Sequence, residues 1–454
     1  MKTLFIIPSN KSLFGHKYTP PGHPHVGIAY LAAFLRDNDL EVKIYDDGFK
    51  DNPPLNDEIN NYKPDIIGIT SFSFNYEYAR GLISSIKSKT DIPIVIGGPH
   101  VSVVKKDILN DSMMDFAIKQ EGEISFTQLL EEILKPSPDF GKIKGLIWRK
   151  NGQVIENPDM PFIQDLDRLP FPDYNLFDLK KYACYKVRSL PIITSRGCPF
   201  NCNYCATLLS MGRCFRKRSG ENVFKEIKNR YQDGYVNFDF NDDCFTLDIK
   251  RVDEICDLII SNGIKIHFQC YNGLRVDNVT PELLKKMKKA GCFFLAFGCE
   301  TGNPDVMKVI KKSITLEQVR NAVNWANAAG IKNCVNFIVG HTQETYEQAK
   351  ETLEFASSLK TNYINFSNLI PYPETEAFDW AKENANFLVP IDAYLMNIST
   401  YDNQPIFETK EFTSQERREI SEKGHDLYYH KILIWRLGAI LGNIVYYFTR
   451  YPHD

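Results

Sequence analysis

The chain has 454 residues, 43% of them hydrophobic and 24% charged, and a net charge of −3. That is the composition of a globular protein of two to three domains with a large core. It offers no dominant basic patch for a nucleic acid, and no run of roughly 18 apolar residues for a spanning helix.

MKTLFIIPSN carries a single Lys and a short apolar run ending at Pro8. It reads as a first β-strand rather than a signal peptide, and a cytoplasmic protein is expected. Residues 1–135 then alternate strands and helices. KTLFIIP, EVKIYDD, PDIIGITSFS, IPIVIGGPH and DFAIKQEGE are the strands. The helices are VGIAYLAAFLRDN from Val26, YEYARGLISSIKSK, a stretch near 102–110, and ISFTQLLEEILK. Continuous apolar strands in βα alternation predict an α/β, doubly wound, Rossmann-like parallel sheet. Its ligand lies beyond the strand ends Ile7–Asn10, Thr70–Phe74, Gly97–His100 and Glu121–Glu123.

Residues 136–189 are rich in Pro, Gly and Asp, with one predicted hairpin turning at Asn151-Gly152. They read as an ordered linker wrapping between domains. Residues 190–375 resume the alternation with LPIITSR, YVNFDFND, IKIHFQCYN, CFFLAFGCE, IKNCVNFIVG and TNYINFSNLI as strands. Helical patterns separate them, which predicts a partial (β/α)6 barrel with its site at the C-terminal strand ends. Residues 376–454 predict a C-terminal helical region. Its last stretch, HKILIWRLGAILGNIVYYFTRY, is apolar but interrupted by Arg436 and Asn443. It reads as a packed or partner-facing helix, with contact to a membrane surface as the alternative.

The eleven cysteines are confined to positions 184–334. Eight stand singly and read as small buried residues or free thiols. The other three, Cys198, Cys202 and Cys205, lie in GCPFNCNYCA, directly after the first barrel strand. Three thiolates are too few for a closed structural zinc site. On a [4Fe–4S] cluster they leave one iron open to a chelating ligand.

The C-x3-C-x2-C spacing, with Tyr204 before the third cysteine, resembles the radical S-adenosylmethionine superfamily. The resemblance implies that Cys198, Cys202 and Cys205 hold three irons of a [4Fe–4S] cluster. S-adenosylmethionine then chelates the fourth, and one electron releases a 5′-deoxyadenosyl radical that abstracts hydrogen from substrate. An external donor, flavodoxin or ferredoxin, supplies the electron. Family patterns place Tyr204 near cluster and adenine, Asp242 and Asp243 near the methionine amino group, and Arg275 near a carboxylate. They place Glu300, in GCETG, near ribose or amino group, and Gly340 near adenine. His341 departs from the family's usual Gly-Leu-Pro-Gly-Glu-Thr-like segment; a surface role and a ligand-facing role are both open.

PPGHPHVGIAYLAAFLR, PDIIGITSFS, PIVIGGPH, DFAIKQEGE and DLDRLPFPD, in that order, resemble the cobalamin-binding domain fused to such enzymes. Gly97 and Gly98 admit close backbone approach. Thr70, Ser71 and Ser73 offer small hydroxyls, and Phe72, Pro99, His100, Glu121 and Gly122 complete the expected cobalamin contacts. No Asp-x-His-x-x-Gly signature for an axial histidine is present; His23, His25 and His100 are candidates for nearby contacts.

The resemblance implies a cobalamin-dependent radical methyltransferase, passing a methyl group through methylcobalamin to carbon or phosphorus of a small molecule. The alternative is an oxidative cyclase or rearrangement enzyme with the same cofactors. The lack of cysteines before Cys184 argues against a methylthiotransferase, and the complete cysteine loop and barrel argue against a non-catalytic carrier. Substrate is expected between the cobalt face and the deoxyadenosyl group, under a cap that includes Tyr372, Phe378, Trp380, Tyr394 and Tyr401.

Overall fold

The computed structural model describes residues 1–9, 21–111, 113–391, 394–397 and 403–450. The chain forms two compact units. The first comprises Met1–Pro191 and Ala206–Arg218, joined by the short segment at Tyr394. The second comprises Ile192–Cys205, Ser219–Ile391 and the chain from Asp402.

In the first unit β1 (Lys2–Ile7), β2 (Glu41–Asp46), β3 (Ile66–Thr70), β4 (Ile94–Gly97) and β5 (Phe116–Ile118) pair in parallel. The order is β2-β1-β3-β4-β5, so the connection reverses direction between β1 and β3. That reversal splays the loops apart and opens a crevice at the strand ends. Every residue of β3 is buried, as a strand covered on both faces requires. The core gathers Leu4, Ile6, Ile67, Ile69, Ile94 and Ile96 against Ala79, Ile83 and Ile86 of the helix Tyr76–Lys87. The helices α1 (Val26–Asp37), α3 (Tyr76–Lys87) and α5 (Glu123–Ile133) lie where periodicity put them.

Two features differ from the sequence expectation. A helix, α2 (Leu55–Tyr62), stands where only a turn was expected; it buries Ile59 alone, so its apolar period is too weak to see. The expected linker, with its hairpin, is part of the first unit. Its hairpin, β6 (Leu146–Lys150) and β7 (Gln153–Glu156), extends the sheet antiparallel from β5. Asn151 and Gly152 turn it with φ of 51° and 80°, as a two-residue Asn-Gly loop demands.

The second sheet has six strands in consecutive order: Ser189–Ile192, Asn237–Phe240, His267–Leu274, Cys292–Glu300, Lys332–Val339 and Tyr363–Asn368. Helices connect successive strands, giving the open (β/α)6 barrel expected. Residues 376–391 and the C-terminal helices belong to this unit rather than forming a separate cap. Helix Ser414–Leu437 lies along the last strand. Its Ser421 accepts from Asn368, and a Cβ on Gly424 would lie 2.4 Å from Phe366. The helix packs on side chains of this edge strand, whose open backbone groups Asn368 N and Phe366 O are met by Asn403. Helix Ala439–Arg450 exposes Ile440, Leu441 and Ile444. No described helix is long and apolar enough to cross a membrane.

Candidate active site

The first barrel strand ends at Ile192, and the chain enters the cysteine loop at Gly197, whose φ of 84° turns it. Cys198, Cys202 and Cys205 are each partly exposed, whereas all but one of the other cysteines are buried. Among the described residues no three His, Cys, Asp or Glu side chains converge on one point, as ligands of a single ion would. The thiolates of an iron–sulfur cluster bind different irons and stand apart, so the donor set fits a cluster better than one metal ion.

The loop is pinned from three sides. Asp242, at the end of Asn237–Phe240, accepts from Thr194 N at 2.6 Å, from Ser195 Oγ at 2.6 Å and from Thr194 Oγ1. Its neighbour Asp243 accepts from Gly197 N at 3.3 Å. Behind Asp242 lies Arg251, which donates to Thr194 O and Phe245 O. Asn203, inside the motif, donates from its backbone to Ile310 O and from its amide to Val309 O and Thr342 Oγ1. Phe200 lies under the Arg275 guanidinium at 3.6 Å.

These contacts revise two sequence assignments. Asp242 is buried and engaged with Thr194 and Ser195, and its neighbour Asp243 with Gly197 N. Arg275 is likewise engaged: it forks onto Asp277 and donates to Lys312 O, so it buttresses Phe200. Both side chains are thus engaged with protein partners at or beside the loop. Sequence pattern marks the end of a strand but not where its side chains turn.

Glu300 sits at the end of Cys292–Glu300 with φ of 75°, after a register shift between Gly298 and Glu300. The irregularity re-aims its carboxylate, which takes the Lys312 ammonium at 2.8 Å. Burial alone would lower the Lys312 pKa; Glu300 and the nearby Cys202 outweigh it, and the net direction is up. Lys312 therefore stays a cation beside the cysteine loop. Sequence reasoning missed it because a Lys-Lys pair reads as a solvated surface.

Burial pushes the Cys202 thiol up, with Lys312 and the Tyr204 hydroxyl pulling it down. Cys198 is lowered to about 7, first by its hydrogen bond from Cys244. Tyr204 packs 5.5 Å from the His341 ring, and its phenol is raised by burial and by Glu300. His341 is not a surface histidine. It is 1% exposed, its Nε2 is 3.4 Å from Glu300 O, and desolvation lowers it to about 4. Gly340 has φ of 83°, and Arg417 fills the space a Cβ would need. Glu344 accepts from Gly340 N and His341 N, and its pKa is raised by burial to about 7. Tyr372 is half-buried, its phenol raised by burial and by Cys205. Phe378 and Trp380 are half-buried, Tyr394 is buried in the first unit, and Tyr401 and Asn10 lie outside the described residues.

In the first unit the structure brings Thr70–Ser73 and Gly97–His100 together on adjacent strand ends. Ser71 N donates to Gly97 O, and His100 N donates to Ser71 O. Gly98 has φ of 97°, and a Cβ there would lie 2.7 Å from Ser71 O. Only glycine allows that approach. Phe72, Gly97, Gly98, Pro99 and Gly122 are partly open, whereas Thr70, Ser71, Ser73 and His100 are buried behind them. His100 meets Ser73 Oγ at 3.0 Å and packs on Tyr76; burial lowers it to about 4. His25 caps α1 by accepting from Ile28 N. Glu121 is taken by Arg216 at 2.7 Å and by Ile163 N, which removes it from the expected cofactor contacts. The rim of glycines and an aromatic suits a large flat cofactor, and both buried-side histidines face protein partners.

The sequence matches the Radical SAM superfamily over residues 192–356 and the B12 binding domain over residues 17–130. An uncharacterized methyltransferase from Pyrococcus horikoshii is 32% identical over 96% of this chain and 94% of its own. The anaerobic magnesium-protoporphyrin IX monomethyl ester cyclase of Rubrivivax gelatinosus is 27% identical, over 86% of this chain and 73% of its own. Among solved structures, the radical S-adenosylmethionine methyltransferase TsrM from Kitasatospora setae superposes with a TM-score of 0.73. That match has 19% identity and covers 86% of this chain and 79% of TsrM.

Proposed function

Because this chain belongs to the cobalamin-binding radical S-adenosylmethionine family, we propose that it is a methyltransferase acting on a small molecule. The methyl group passes from S-adenosylmethionine through cobalamin to an unactivated carbon, or to phosphorus. The observation that carries this reading is the pinned three-thiol loop in one chain with a glycine-lined B12 binding domain. When bound, the cluster and S-adenosylmethionine supply a 5′-deoxyadenosyl radical, and cobalamin supplies a methyl carrier.

The chain's own residues bind, orient and exclude water. Cys198, Cys202 and Cys205 hold the cluster, with Asp242, Arg251 and Asn203 fixing their loop. Asp243, Glu300 and Gly340, with Tyr204 beside them, are the residues that would hold S-adenosylmethionine. Lys312 keeps the Glu300 carboxylate in place and places a positive charge near the thiolates. In the first unit the rim at Phe72, Gly97, Gly98 and Pro99 receives cobalamin, with Thr70, Ser71, Ser73 and His100 holding that rim from behind. A flavodoxin or ferredoxin is the electron source.

A cyclase-type oxidation is the second reading, favoured by the likeness to the protoporphyrin ester cyclase. The test is anaerobic reconstitution with iron, sulfide and hydroxocobalamin, followed by methyl-labelled S-adenosylmethionine and reductant. Label on cobalamin, with both S-adenosylhomocysteine and 5′-deoxyadenosine released, is the expected result. 5′-Deoxyadenosine alone, with cobalamin bound but unlabelled, would favour the cyclase reading. Cys202→Ala should abolish cleavage of S-adenosylmethionine and leave cobalamin binding intact.

A further inference from the structure

Cys244 is one of the eight cysteines that sequence reading left as inert. It directly follows Asp242 and Asp243 at the exit of strand Asn237–Phe240. Its Sγ donates to Cys198 Sγ at 3.3 Å. The three consecutive residues thus reach three successive points of the cysteine segment: Asp242 holds Thr194 and Ser195, Asp243 holds Gly197 N, and Cys244 holds Cys198. Cys244 is 7% exposed, so water does not compete for its thiol.

We propose that Cys244 tunes the cluster from outside its ligand set, by donating a thiol hydrogen bond to the Cys198 thiolate. The separation argues against a fourth ligand. At 3.3 Å the two sulfurs are at hydrogen-bond distance, whereas ligands to different irons stand farther apart. A hydrogen bond to a ligating sulfur withdraws electron density and makes a cluster easier to reduce. A donor at Cys244, 3.3 Å from Cys198, therefore raises the cluster potential relative to the same site without one. It is a positioning and tuning residue, since it acts through Cys198.

This inference rests on the cluster assignment made above. The test is a redox titration, followed by electron paramagnetic resonance, of the reconstituted full chain carrying Cys244→Ala or Cys244→Ser. Iron content and S-adenosylmethionine binding are measured alongside. Cys244→Ala should keep four irons per chain and shift the midpoint potential to more negative values. Cys244→Ser keeps a donor and should recover most of that shift. An unchanged potential in Cys244→Ala overturns the proposal. So does loss of one or more irons in Cys244→Ala, since that makes Cys244 a ligand. If the unaltered chain shows no [4Fe–4S] signal, the functional reading itself fails, which is a separate outcome.

Discussion

Asp242→Ala separates a structural carboxylate from a ligand-binding one. The wild-type side chain is 4% exposed and accepts three hydrogen bonds from Thr194 and Ser195. Arg251 stands 3.7 Å behind it and is itself buried. The alanine variant leaves those donors unmet and the guanidinium without its counter-charge. Arg251 keeps its bonds to Thr194 O and Phe245 O, which limits the loss. Breaking one side of a buried pair costs about 3–5 kcal/mol. Asp242→Asn keeps an acceptor but turns an amide toward a donor, so its cost is about 2–3 kcal/mol. The assay is urea unfolding of the second unit, followed by Trp325, Trp380 and Trp435, three of the four tryptophans. Reconstituted iron should fall in parallel with stability. An unchanged unfolding midpoint with lost S-adenosylmethionine binding would refute the reasoning, because it would make Asp242 a direct ligand contact.

Gly340→Ala forces a Cβ to within 2.2 Å of Arg417 Nη1 at a φ of 83°. It should destabilise the second unit by about 2–4 kcal/mol, read by the same urea titration. Lys312→Met leaves the buried Glu300 carboxylate without its cation and should cost about 3–5 kcal/mol. Lys312→Arg should lose less; equal losses would show that packing, not charge, holds this position. Burial lowers His100 to about 4, from 6.5 when unfolded. Its neutral form therefore favours folding above pH 6.5, and that contribution is lost as pH falls from 6.5 toward 4. His100→Gln should flatten this acid limb, by up to about 3 kcal/mol, in thermal unfolding measured across that range. Glu344 behaves oppositely. Raised to about 7 by burial, it favours the fold below pH 4.5 and loses that advantage as pH rises through 7. Glu344→Gln should therefore gain on wild type between pH 4.5 and 7, and a constant difference would refute the assignment.

The sequence by itself determined the order of elements, the cysteine loop and the glycine rim. Each is a local property: an apolar run long enough for a covered strand, three thiols on one loop, or a backbone that must pass φ of 97° at Gly98. What it could not determine was the direction of side chains at strand ends. Asp242 and Asp243 lie just past the strand Asn237–Phe240, and both reach the same segment, one at Thr194 and Ser195 and the other at Gly197 N, which no local pattern could show. Glu121 looked like a cofactor contact until Arg216, 95 positions away, took it up. His341 was open to a surface role or a ligand-facing one until the fold buried it beside Tyr204. Cys244 looked inert until its strand was placed beside Cys198. Such pairings depend on sheet order and register, which bring together residues far apart in the chain, and only the tertiary structure decided them.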